Sequence, residues 1–160
     1  MKLNEMVISN KQKQKDLSEL NDLNQSFELI DLNITGNELS KNKYDILVFY
    51  SDYNLTINQS ILYGYLNCLK KNRFEGTVGT LKIPGGAFEL PLLTSKIIRK
   101  YSPKLCLVVG CIIKGETQHY EFLSSTVTNA IRNVSFENNT PILNGICLLY
   151  TSPSPRDLAV

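Results

Sequence analysis

One imidazole, one glycine-rich turn and one polar loop hold most of the chemistry this chain can offer. His119 is its only histidine. Histidine is the side chain whose ordinary pKa, about 6.5, allows proton transfer in both directions near neutrality. It follows Lys114-Gly115-Glu116-Thr117-Gln118, a polar loop that leaves the apolar run Leu105 to Ile113. A lone histidine is more often structural than catalytic. This one stands where a strand gives way to a loop, the end of an open α/β sheet at which ligands bind. Gly115-Glu116-Thr117 leads into a helical pattern, and a helix N-terminus offers unpaired N–H groups and a positive dipole end to a phosphate. Plain helix capping is the commoner use of such a turn, and the residues alone leave both readings open.

Two further groups stand at comparable points. Ala87-Phe88-Glu89 follows the turn Pro84-Gly85-Gly86. Read by itself it is a helix start with an acid favoured by the dipole. Tyr53-Asn54 follows the first apolar run, and an aromatic ring in such a loop can stack on a flat heterocycle.

The elements that must position these residues are legible from periodicity. Ile46 to Tyr50 is a short continuous apolar run, the mark of a strand buried on both faces. Ile61, Tyr65 and Leu69, with Leu62 and Leu66 beside them, predict an amphipathic helix ending near Lys70-Lys71-Asn72, where cations suit the dipole. Val78 to Ile83 is a second strand, stopped by Pro84-Gly85-Gly86. Pro91 opens a second helix in which Leu93, Ile97 and Tyr101 share a face, and Ser102-Pro103 closes it. Leu105 to Ile113 is a third strand. A third helix follows with Leu123, Val127, Ala130, Ile131 and Val134 inward, and Ile142 to Ile146 makes a fourth strand. Strands alternating with helices imply right-handed crossovers and a parallel sheet covered on both faces.

Composition narrows the function classes. At 160 residues and 42% hydrophobic, the chain is expected to form one core domain. Its net charge of +2 is too near neutral to argue for nucleic acid or an anionic membrane as partner. No run approaches the roughly 18 apolar residues that span a bilayer. The N-terminus has no apolar signal region. Cys68, Cys106, Cys111 and Cys147 show neither a C-x-x-C pair nor metal-ligand spacing, which favours a reducing, intracellular compartment. Residues 1–43 are polar, and the charged run Lys11 to Asp16 reads as a solvated arm, disordered in part.

The blocks Pro84-Gly85-Gly86-Ala87-Phe88-Glu89-Leu90-Pro91 and Gly110-Cys111-Ile112-Ile113-Lys114-Gly115-Glu116-Thr117-Gln118-His119-Tyr120-Glu121 together resemble the lumazine synthases. These are the penultimate enzymes of riboflavin biosynthesis. The resemblance runs from about Tyr44 to Ile146 and implies a three-layer, flavodoxin-like α/β/α fold with about four parallel strands. It implies that His119 is the acid/base residue, and that Lys114, Gly115, Glu116 and Thr117 bind the phosphate of a butanone phosphate. It implies that Tyr53, Asn54, Ala87, Phe88, Glu89, Cys111, Ile112 and Ile113 surround a ribitylamino-pyrimidinedione. Asn144 stands where many members carry an aromatic supplied by an adjoining subunit. No metal or organic cofactor is implied. The expected partners are the two substrates, further copies of the chain in pentamers or multiples of them up to icosahedral shells, and riboflavin synthase. The expected location is the cytoplasm.

Departures accompany the likeness. Two glycines, Gly85 and Gly86, stand where the family pattern usually has one, and Lys114 stands where Arg is common. The end of the N-terminal arm is expected, on the family's pattern, to pair with a neighbouring subunit's sheet. From Cys147 onward the likeness is expected to stop. Cys147-Leu148-Leu149-Tyr150-Thr151-Ser152-Pro153-Ser154-Pro155-Arg156-Asp157 looks like a translated sequencing adapter, so that 44–146 form the synthase-like domain and 147–160 an artefactual tail. Such a chain would lack the family's C-terminal helices and their phosphate-gripping Arg, and is expected to be poorly stable and weakly active or inactive. A non-catalytic lumazine- or flavin-binding homologue on the same scaffold is the alternative.

Overall fold

From Ile46 onward strands and helices alternate, and the sheet formed by the described residues is wholly parallel. The computed structural model describes residues 27–32 and 43–150. Strands β1 (Glu28–Leu32), β2 (Ile46–Ser51), β3 (Thr77–Ile83), β4 (Leu105–Ile113) and β5 (Ile142–Leu149) are joined by helices α1 (Leu55–Lys71), α2 (Leu90–Tyr101) and α3 (His119–Glu137). The spatial order is β1-β3-β2-β4-β5, with every neighbouring pair parallel. Parallel pairs need long crossovers, and from β2 to β5 the described helices α1, α2 and α3 supply them.

Two cores sandwich the sheet. Leu62 and Leu66 of α1 pack with Ile46, Val48, Val78 and Val109 on one face. Leu90 and Ile98 of α2 and Val127, Ile131 and Val134 of α3 pack with Leu47, Phe49, Leu81 and Val108 on the other. All six residues of β2 are buried, because the strand is central and covered on both sides. Leu66 is fully buried; shortening it to Ala costs roughly 2–5 kcal/mol. The expected three-layer α/β/α arrangement is therefore the observed one.

It differs from expectation at both sheet edges. The described residues form five strands where about four were expected, because Glu28–Leu32, inside the polar segment 1–43, forms β1. This strand pairs with β3 of its own chain (Glu28↔Thr77 to Leu32↔Leu81). Apolar side chains suffice to hold it: Phe27 and Leu32 are buried, and Phe27 meets Phe74 edge-on at 6.2 Å. The disorder expected of the arm falls on residues 1–26 and 33–42, outside the described residues. At the other edge β5 runs three residues past Ile146, with Cys111↔Cys147 and Ile113↔Leu149 still in register. Residues 151–160 also lie outside the described residues.

The helix faces refine two expectations. In α1 the most buried line is Asn58, Leu62 and Leu66, with Ile61, Tyr65 and Leu69 packed beside it. In α2 it is Leu90, Thr94 and Ile98, flanked by Leu93, Ile97 and Tyr101. Cys106 is wholly buried and its thiol is pushed up to about 12 by loss of solvent, so it behaves as a small hydrophobe.

At the amino edge of the sheet Asp45 ties three strands together. Its Oδ2 accepts the Thr77 N–H (2.9 Å), its Oδ1 meets Lys104 Nζ (2.7 Å), and its carbonyl accepts the N–H groups of Lys104 and Leu105. The Lys104 contact, followed by the Thr77 N–H, holds the Asp45 carboxyl below its usual range.

Candidate active site at the carboxyl edge of the sheet

The chain leaves β2 toward β3 on one side and returns across it to β4 on the other. The strand order thus reverses between β2 and β4, and beyond the carboxyl ends at such a reversal open α/β sheets have their ligand crevice. Three loops converge on this edge: residues 52–54 after β2, 84–89 after β3, and 114–118 after β4.

The first two loops are fastened to each other. The Asp52 N–H donates to the Ile83 carbonyl (3.0 Å) and the Tyr53 N–H to the Gly85 carbonyl (3.2 Å). The Gly85 N–H donates back to Asp52 Oδ1 (2.8 Å). Asn54, at φ 56° and ψ 45°, reverses the chain into α1, in the left-handed region that Asn tolerates. Tyr53 keeps 57% of its surface exposed, and Asn54 Nδ2 is buried without a hydrogen-bond partner among the described residues.

Of the two adjacent glycines only Gly85 is demanded by the backbone. Its φ is +103°, and a Cβ there would stand 2.8 Å from Glu89 Oε2; at Gly86 the nearest atom would be an ordinary 3.7 Å away. Glu89 folds back to accept the Gly86 N–H (2.7 Å), which steadies the turn before α2. Ala87 is buried and Phe88 is 63% exposed. Gly110 of β4 makes this seating possible, since a Cβ there would press to 2.9 Å from Leu90 and 3.4 Å from Ala87.

The third loop begins at the end of β4, where Cys111 and Ile112 are buried and Ile113 emerges. The Lys114 N–H donates to the Leu149 carbonyl (2.8 Å), and its ammonium stands 5.3 Å from the Tyr150 ring centre. Gly115, Glu116, Thr117 and His119 are exposed, and His119 is the first residue of α3. Among the described residues no group of three His, Cys, Asp or Glu side chains could hold a metal ion.

Thirteen of the fourteen expected site residues thus stand on the converging loops and strand ends; Asn144 does not. It pairs with Val108, five positions before the last pair of β5, about 16 Å down the strand at 3.3 Å per residue. Its Oδ1 accepts the Ile146 N–H (3.1 Å), and it lines a groove of about 200 Å³ with Thr128, Arg132 and Phe136 of α3. Reading the sequence missed two polar residues of the site's framework, Asp52 and Asn58. Asn58 lies four residues before Leu62 and eight before Leu66, so it shares their inward face; that spacing was the available signal.

Over residues 43–153 the chain matches the protein family described as 6,7-dimethyl-8-ribityllumazine synthase. The chain belongs to that family. A 6,7-dimethyl-8-ribityllumazine synthase of Buchnera aphidicola subsp. Baizongia pistaciae is 37% identical over 111 residues, covering 67% of this chain and 68% of the relative. One from Prochlorococcus marinus (strain MIT 9312) is 32% identical, covering 69% and 73%. One from Pyrococcus furiosus is 36% identical, covering 63% and 62%. The chain thus spans about two thirds of the length of these lumazine synthases, whose shared name agrees with the expected place in riboflavin biosynthesis. The family match continues seven residues beyond Ile146, the expected limit of the likeness. No helix among the described residues is long and apolar enough to cross a membrane.

Proposed function

We propose that this chain condenses 5-amino-6-(D-ribitylamino)uracil with 3,4-dihydroxy-2-butanone 4-phosphate to give 6,7-dimethyl-8-ribityllumazine. One observation carries the reading: within a lumazine synthase family chain, an exposed aromatic, a helix-opening acid and the only imidazole stand on the three loops around one crevice. In this reading Tyr53 stacks on the pyrimidinedione. Asn54 Nδ2, without a partner among the described residues, donates to it. Ala87, Phe88 and Glu89 meet the ribityl chain, and Cys111, Ile112 and Ile113 offer backbone groups to the heterocycle. Lys114 and the Gly115-Glu116-Thr117 turn take the phosphate.

The substrate amine adds to the ketone and water leaves, giving an imine. Phosphate is then eliminated, and the second amine closes the ring with loss of water. His119 moves protons in these steps, while the loops hold the two reactants together; one acid/base group contributes about 10²–10⁴-fold. No cofactor enters the reaction.

The same reading extends to assembly. Asn144 lies far from its own crevice and faces outward, so it completes the site of a second copy, as the pentamers of the family require; larger shells and a complex with riboflavin synthase follow from the same likeness. The protein works in the cytoplasm. Incubating the chain with both substrates and following the lumazine product tests the proposal. Product release at a rate proportional to protein supports it. Tight binding of the lumazine without turnover would favour the non-catalytic binding homologue instead.

A further inference from the structure

Both polar groups of the Tyr53 backbone are fixed, and from different elements. Its N–H is held by the Gly85 carbonyl at 3.2 Å. Its carbonyl accepts from Asn58 Nδ2 at 2.9 Å and from Ser51 Oγ at 3.3 Å. Asn58 is wholly buried in α1, and the same Nδ2 also reaches the Ser51 carbonyl at 2.8 Å. This buried amide donates both to the last residue of β2 and to the loop after it, which ties the two together, while its Oδ1 has no partner among the described residues. Asp52 adds the link across to β3: its Oδ1 takes the Gly85 N–H, so both backbone groups of Gly85 are spent on the 52–53 loop. The ring of Tyr53 is left outside this lattice, more than half exposed.

We propose that Asp52 is a positioning residue: its carboxylate oxygen, with Asn58 beneath, locks the loop after β2 to the Gly85 turn and so presents the Tyr53 ring and the Ala87-Phe88-Glu89 turn as one rigid platform for a flat heterocycle. The role in binding rests on the proposed condensation. The locking itself does not. What the link requires of residue 52 is an acceptor atom aimed at Gly85, not a charge. Glu89 supports the platform independently by bonding Gly86. Asp52 is exposed, so its replacement leaves both cores intact.

The test compares Asp52→Ala with Asp52→Asn, which keeps the accepting oxygen. The sequence has no tryptophan, so Tyr53→Trp adds a single reporter of loop motion that needs no catalysis. In that background Asp52→Ala should lower the tryptophan anisotropy and raise acrylamide quenching, and Asp52→Asn should leave both as they were. In the native background Asp52→Ala should raise KM for the pyrimidinedione about two- to tenfold, the loss of one hydrogen bond's worth of order. KM for the butanone phosphate and kcat should stay within about twofold, and Asp52→Asn should restore the starting values. Unchanged anisotropy in Asp52→Ala, or an Asp52→Asn that behaves like Asp52→Ala, overturns the proposal. So does an equal rise in both KM values with a lowered Tm, which marks general destabilisation. If the unsubstituted chain forms no product, the condensation fails as its function, and the anisotropy series still decides whether Asp52 locks the loop.

Discussion

The two flanks of the crevice are held to different degrees. On the β2–β3 flank, Asp52, Tyr53, Gly85, Gly86 and Glu89 are joined by hydrogen bonds of 2.7–3.2 Å, with Asn58 bracing them from below. On the β4 flank, the side chains of Glu116, Thr117, Gln118 and His119 make no hydrogen bond or ion pair with the described residues. The difference matches what each flank is proposed to hold. A neutral, flat ring brings little electrostatic attraction of its own, so its affinity depends on a surface already in shape. A phosphate brings two charges and strong acceptor oxygens, and charge-assisted hydrogen bonds can order a loop as it binds. Rigidity is concentrated where the ligand cannot supply it.

The comparison can be broken most decisively at His119. His119→Ala should lower kcat about 10²–10⁴-fold, while pyrimidinedione affinity measured by calorimetry stays within about twofold. Loss of that affinity would mean that the loose flank also shapes the ring site. Next in size is a matched pair of glycines. Gly85→Ala, at φ +103°, should cost about 1–3 kcal/mol in urea unfolding. Gly115→Ala, with nothing within 4 Å of its added carbon, should stay within about 0.5 kcal/mol. Equal costs would erase the contrast between the flanks. Lys114→Ala should raise KM for the butanone phosphate about tenfold, the scale of one charge-assisted contact, and leave the other KM unchanged. A rise in both would show the flanks to be coupled.

The smallest effect concerns Asp45, the clamp at the opposite edge of the sheet. Its folded pKa is depressed, first by Lys104 and then by the Thr77 N–H. Its stabilisation is therefore complete above the ordinary aspartate pKa of about 3.9 and is lost as pH falls through and below that value. Lys104 is largely exposed, so Lys104→Ala should cost only about 0.2–1 kcal/mol at neutral pH. That difference should shrink toward zero below about pH 3.9. A cost independent of pH would assign the stabilisation to packing of the lysine stem instead.

The sheet's centre was legible in the sequence because burial on both faces writes an unbroken apolar run, as in Ile46–Tyr50 and Leu105–Ile113. Its edges were not. β1 has five residues, two of them acidic, in a polar stretch; an edge strand needs little apolar surface, so periodicity has little to register. The end of β5 was hidden for another reason: Cys147-Leu148-Leu149 reads as foreign on its likeness to an adapter, yet it alternates well enough to stay in register with β4. Within the site, the glycine turn and the loop before His119 stood out through motifs. Asp52 did not, because an Asp in a loop looks solvated until the partner backbone is known, and Asn58 was marked only by its spacing from Leu62 and Leu66. The two-glycine turn could be noticed but not apportioned; only the φ values separate the indispensable Gly85 from Gly86.

The strand order also sets the sequence of events as the chain is made. Parallel pairs cannot form as hairpins, and each waits for a helix and a distant strand to be complete. Once the segment through Glu89 has left the ribosome, β1, β3 and β2 with α1 already contain every bond of the Asp52–Gly85 corner. The other side of β2 stays open until Leu105–Ile113 arrives, and His119 can take its place only after that. Domains fold as units, and the residues of α2 and α3 that cover the second face of β2 are made only after Glu89, so the Asp52–Gly85 corner gains its full support late in synthesis. A nascent chain that ends between Glu89 and Leu105 leaves one edge of β2 without its partner strand, and an unpaired apolar edge is prone to aggregation.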